Sequence, residues 1–121
     1  MRTKRFNGFR SHALITGAAS GMGRIYACEL ARRGYNLIIV DINANGLEET
    51  AQIVKSETPE TRILILQQDL SAADAADKVF AATEEAGCEV EVLINNAGIM
   101  YCQGIAETSE RTLKLIMMVH M

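Results

Sequence analysis

Thr16-Gly17-Ala18-Ala19-Ser20-Gly21-Met22-Gly23 follows the apolar run Ala13-Leu14-Ile15 and precedes a stretch of helical periodicity. A glycine-rich turn in that position joins a strand to a helix. Three more short apolar runs lie downstream: Leu37 to Val40, Ile63 to Leu66, and Val92-Leu93-Ile94. Their starts are 24 to 29 residues apart, close to the ~30-residue strand–helix–strand unit. Continuous apolar runs of this length are strands covered on both faces, which predicts a parallel sheet with helices on each side.

The segments between the runs carry helix punctuation. Residues 21 to 33 place Gly23, Ala27, Leu30 and Ala31 on one face, and Arg32, Arg33 and Gly34 suit a helix end. Asn43 is placed to N-cap a second helix with Leu47, Ala51 and Val54 on its inner face. Ser71 and Asp74 read as an S-x-x-D cap before a third helix carrying Ala75, Val79, Ala82 and Ala86, with Gly87 ending it. A fourth helical stretch, Leu113 to Met121, is apolar at seven of nine positions and expects cover on two sides. The fold class is therefore α/β, a doubly wound parallel sheet of four strands alternating with helices. We expect residues 1–10 to form a basic arm and residues 11–121 one partial domain.

Composition narrows the function classes. The 121 residues are 49% hydrophobic and 22% charged, with nine Gly and one Pro, which excludes disordered and collagen-like chains. No apolar run approaches membrane-spanning length, and Phe6-Asn7-Gly8-Phe9 is no secretory h-region, so a cytoplasmic protein is expected. The net charge of −3 is uneven: Arg2, Lys4, Arg5 and Arg10 stand in the first ten residues without an acid. With an acidic remainder and 5% aromatics there is no stacking platform for bases, and no nucleic-acid partner is expected. Cys28, Cys88 and Cys102 form no CxxC pair, and His12 and His120 are far apart, so no metal site is expected.

The candidate site residues lie where the strands end. A dinucleotide needs a tight turn, a backbone without Cβ where phosphate approaches, and a helix start presenting N–H groups. Gly17, Gly21 and Gly23 meet those needs in order, spaced G-x-x-x-G-x-G, and no Walker-type Lys follows. Asp41 ends the second strand 18 residues after Gly23. It either accepts ribose hydroxyls or caps the turn at Ile42-Asn43. Asp69 either meets an adenine amino group or supports the next helix start. Asn95-Asn96-Ala97-Gly98 ends the fourth strand, where small residues admit a ligand or form a plain turn.

Taken together, Thr16 to Gly23, Asp69 and Asn95-Asn96-Ala97-Gly98 resemble the short-chain dehydrogenases/reductases, with T-G-x-x-x-G-x-G, an Asp after the third strand, and N-N-A-G. The resemblance spans about Ser11 to Met121 and implies a Rossmann-type fold and an NAD(P)-dependent oxidoreductase acting on an alcohol or ketone, with homo-oligomers common. It implies that Ser20 and Met22 touch ribose and pyrophosphate, and that Asp41, with Ile42 beside it, favours NAD over NADP. Asp69 and Leu70 would hold adenine, and Asn95, Ala97 and Gly98 would line the nicotinamide side.

The family's Ser and Y-x-x-x-K pair have no counterpart here, because Leu30, Ile39 and Ile105 stand four residues after Tyr26, Tyr35 and Tyr101. His120 falls near the family's helical Asn. The expectation is therefore the N-terminal, cofactor-binding half of such an enzyme, inactive by itself. A non-catalytic adenine-nucleotide-binding module and a protein-interaction module are the alternatives. A fold for another adenine ligand, such as a methyl donor, fits N-N-A-G less well.

Overall fold

A computed structural model describes residues 11–96. Its order is β1 (Ser11–Thr16), α1 (Gly21–Arg32), β2 (Asn36–Asp41), α2 (Ala44–Glu57), β3 (Ile63–Gln67), α3 (Ala75–Glu85) and β4 (Glu89–Asn95). All four strands pair in parallel, in the order β3-β2-β1-β4. Each of the four apolar runs lies within a strand. The fourth strand starts earlier than its run, at Glu89, where a register irregularity against β1 between His12 and Ala13 pairs Val90 and then Val92.

Alternation along the strands divides the core in two. Leu14, Ile38, Val40 and Leu93 pack against Ala75, Ala76 and Val79 of α3. Ala13, Ile15, Leu37 and Ile39 pack against Ala27 and Ala31 of α1 and Leu47 and Val54 of α2. Leu14, Ile15, Leu37, Ile38, Ile39 and Leu47 are fully buried, each contributing about 1.5–3 kcal/mol through apolar burial. The central strands β1 and β2 hold most of this core, whereas β3 lies at an edge with its apolar residues half-buried.

The helix ends follow local chemistry. Asn43 caps α2, its side chain accepting from the Gly46 amide at 3.0 Å. Gly34 and Gly87 take φ of 95° and 73° after α1 and α3, a conformation open to glycine. The expected Ser71 cap of α3 is not formed. Asp74 occupies the N-cap position, with no side-chain cap bond, and Ser71 instead donates its amide and hydroxyl to Asp69. Competition from a carboxylate two residues upstream explains the difference. Ala86 is exposed, and Thr83 takes the inward position on that face. The basic arm, the stretch Leu113–Met121, Tyr101, Cys102 and His120 lie outside the described residues.

Candidate dinucleotide site

The strand order places the site. β1, β2 and β3 are successive neighbours, and the chain then crosses to the other side of β1 for β4. The carboxyl ends of β1 and β4 lie side by side there, at the reversal of strand order where open α/β sheets form a crevice. A cleft of about 890 Å³ lies at that end, lined by Gly17 after β1, Asp41 at the end of β2 and Ile42 after it, Gln68 to Ser71 after β3, and Asn96 after β4. Ser20, Gly21 and Met22, at the start of α1, complete it.

The three glycines serve different ends. Gly17 turns the chain sharply out of β1 with φ 67°. Gly21 has φ 58°, and a Cβ built there would meet nothing within 4 Å, so the space above it is open. Gly23 is buried, and its physical reason is close packing. A Cβ there would overlap the Gly17 carbonyl oxygen and lie 2.6 Å from the Gly17 carbonyl carbon and 2.9 Å from Ala18 Cα. It stands behind the turn and does not line the cleft.

The start of α1 differs from that of α2. Its N-cap, Ser20, makes no side-chain cap bond, while its first turn, like that of α2, carries no acid. The amides of a helix's first turn have no partner within the helix, so this end can receive an anion. Two carbonyls of the turn are bonded to residues outside the cleft lining. Thr50 Oγ1 donates to Ala18 O at 2.7 Å, and Arg24 Nη2 donates to Ala19 O at 2.6 Å.

Asp41 is tied to the same turn. Its Oδ2 accepts from the Ala19 amide at 3.0 Å and its Oδ1 from the Asn43 amide at 3.1 Å. A carboxylate has about four acceptor positions, so these two bonds leave capacity facing the cleft. Asp69, also exposed at the cleft, accepts both bonds of Ser71 through Oδ1. The Ser71 hydroxyl, and after it the Ser71 amide, hold the Asp69 carboxyl below the ordinary aspartate range.

Eight of the twelve residues singled out from sequence line the cleft: Gly17, Ser20, Gly21, Met22, Asp41, Ile42, Asp69 and Leu70. Asn95 is placed on the sheet, its side-chain oxygen accepting from Thr16 Oγ1 at 3.0 Å, which ties β4 to β1. Ala97 and Gly98 lie outside the described residues. Asn96, quoted within N-N-A-G but given no contact of its own, also lines the cleft, as do Gln68 and Ser71. Asn96 also donates to Gly17 O at 3.4 Å. Arg24 and Gly46 escaped sequence reading too: a Cβ on Gly46 would lie 2.6 Å from Ala19 Cβ, so α2 rests directly on the turn. The available signal for Gly46 was a glycine in a helix's first turn beside its N-cap. Among the described residues no group of acids, cysteines and histidines could hold a metal, and no helix is long and apolar enough to cross a membrane. Cys28 and Cys88 are free thiols, with pKa values raised by burial.

A parallel sheet flanked by helices, with a glycine-rich turn opening on a crevice at its strand ends, defines the class of Rossmann-like nucleotide folds. The short chain dehydrogenase family profile matches residues 11–121, and the chain belongs to that family. A very-long-chain 3-oxoacyl-CoA reductase-like protein of Arabidopsis thaliana is 41% identical over 100 residues, covering 81% of this chain and 31% of the relative. Human epidermal retinol dehydrogenase 2 is 40% identical over 87 residues, covering 72% and 28%. The chain thus spans under a third of the length of these two relatives. Among solved structures, a short-chain dehydrogenase from Sphingobium yanoikuyae in complex with NADPH superposes with a TM-score of 0.64 at 32% identity, covering 88% of this chain and 41% of that one.

Proposed function

We propose that this chain forms the NAD-binding part of an oxidoreductase that moves hydride between a nicotinamide cofactor and an alcohol or ketone. The observation that carries the reading is the cleft itself. Residues following all four strands meet there, at an uncapped helix start and an open Gly21. The residues fit a dinucleotide in sequence along the cleft. Gly17 to Met22 would receive the pyrophosphate, Asp41 the adenosine ribose hydroxyls, and Asp69 the adenine amino group. Asp69 is suited to accept, because Ser71 favours its ionised form. Ile42, 59% exposed, and Met22, 53% exposed, offer apolar surface that a flat base would cover. Asn95 would fix the β4 end beside the nicotinamide half, with Ala97 and Gly98 following it. Bound there, the nicotinamide ring supplies the hydride acceptor or donor, while these residues bind and orient it.

The choice of NAD follows from charge. A carboxylate about 4.5 Å from the 2′-phosphate of NADP, at an effective dielectric near 20, would repel it by roughly 3–4 kcal/mol. Salt and partial exposure reduce this to a discrimination on the order of tenfold to a few hundredfold. NADP and NADPH occur in related structures, which makes the comparison decisive. Titration of both cofactors, with Asp41→Ala alongside, tests the reading: NAD should bind tighter, and the substitution should weaken NAD and narrow the gap. Equal affinities in the unmodified chain would reduce Asp41 to a turn cap. The proposal extends to a homo-oligomeric enzyme, on the support of the family resemblance and of the apolar stretch Leu113–Met121 in the sequence. The sequence contains no Y-x-x-x-K pair, so we assign no residue here to proton transfer.

A further inference from the structure

The turn is held from behind by one side chain. Arg24, on the second turn of α1, spends its guanidinium on four acceptors in two different elements. Nη2 donates to Ala19 O at 2.6 Å, to Gly46 O at 3.2 Å and to Glu49 Oε1 at 3.2 Å, and Nε donates to Thr50 Oγ1 at 2.9 Å. Thr50 is fully buried and passes its own hydrogen to Ala18 O. Ala18 O and Ala19 O, two of the carbonyls of the glycine-rich turn, are thus both bonded on the side of α2. The Ala18–Ala19 peptide is held at both ends, its carbonyl accepting from Thr50 and its amide donating to Asp41, and the next carbonyl, Ala19 O, accepts from Arg24.

Two physical consequences follow. A peptide carbonyl turned into the cleft would meet an incoming phosphate with its negative end, and the strut prevents that rotation. The guanidinium also sets a fixed positive charge behind the turn. Its exposed partner Glu49 offsets this only in part, since that pair lies toward solvent. Because the planar fork serves several acceptors in different directions, Lys could replace only a fraction of the bonds.

We propose that Arg24, acting through Thr50 and the Ala18 and Ala19 carbonyls, is the positioning residue that keeps the glycine-rich turn in its pyrophosphate-accepting form. The inference rests on the nucleotide reading above and adds a residue outside the cleft that governs one half of the ligand. The strut should matter for ligands bearing a pyrophosphate and be nearly silent for adenosine, which reaches only Asp41, Ile42, Asp69 and Leu70.

Binding of NAD, ADP and adenosine should be measured by NMR titration for the unmodified chain, Arg24→Met, Arg24→Lys and Thr50→Val. Arg32→Met serves as the control, since it removes an arginine from the far end of α1 together with its surface pairs to Glu29 and Glu57. In Arg24→Met, NAD and ADP should weaken roughly tenfold, equivalent to about 1.4 kcal/mol, with adenosine changed less than about twofold. Arg24→Lys should recover part of the loss, Thr50→Val should show the same selectivity, and Arg32→Met should show no selective loss. If Arg24→Met fails to fold, the lysine and valine variants make the same comparison. Equal losses for all three ligands, or unchanged ADP binding, would overturn the strut and leave the nucleotide reading standing. No binding of any of them by the unmodified chain would overturn both.

Discussion

Replacing Gly23 by Ala tests how tightly α1 is seated on the turn. In most helix interiors Gly→Ala stabilises by about 1 kcal/mol through chain entropy and propensity. At Gly23 the added methyl would overlap backbone only: the Gly17 carbonyl and Ala18 Cα. Ordinary contact for a Cβ begins near 3.4 Å, whereas the Gly17 carbonyl carbon lies at 2.6 Å. The helix would therefore have to withdraw by roughly 1 Å. No flexible side chain can yield instead. Overpacking of this kind costs typically about 1–3 kcal/mol, and more when backbone must move, so a net loss of about 2 kcal/mol or more is expected. That corresponds to a fall in Tm of about 10 °C for a domain of this size. Thermal and urea unfolding followed by circular dichroism would measure it. Gly21→Ala is the companion, since its Cβ meets nothing and only the left-handed backbone, worth about 1–2 kcal/mol, opposes it. It should lose less stability than Gly23→Ala. A Gly23→Ala variant as stable as the unmodified chain would refute the packing argument.

Two further outcomes follow from local bonds. Asn43→Ala should destabilise by about 1 kcal/mol through loss of the Gly46 cap bond; an unchanged urea midpoint would contradict the cap. The Asp69 carboxyl is depressed by Ser71, so its contribution to stability is present above the ordinary aspartate pKa and disappears as pH falls through the lowered folded value. Ser71→Ala should raise the Asp69 midpoint in an NMR titration, and identical titrations in the two proteins would show that the bond does not persist in solution.

The strands and their parallel arrangement were legible because Leu14, Ile38 and Leu93 sit in uninterrupted apolar runs, a pattern that two-sided burial produces. Asn43, Gly34 and Gly87 were legible because caps act within a few residues of themselves. Ser71 was misread for the same locality: two carboxylates, Asp69 and Asp74, stand within three residues of it, and sequence does not rank competing local bonds. The cleft was visible as a set of strand ends, since Gly17, Asp41 and Asp69 each follow an apolar run within three residues. Arg24, Gly46 and Thr50 were invisible, because what they do depends on α2 lying across the turn. The bond from Arg24 to Gly46 spans 22 residues of sequence, and no periodicity encodes that.

The central claim is that the strand-end cleft holds a dinucleotide. The most direct measurement is titration of NAD into isotopically labelled protein with every backbone amide followed. The account predicts saturable shifts at Gly17 to Met22, Asp41, Ile42, Asp69 and Leu70 with one common affinity. Asn36, Arg62 and Cys88, at the opposite end of the sheet, should stay unmoved. Shifts scattered over the surface, or an unperturbed Gly17 to Met22 segment at saturating NAD, would contradict it.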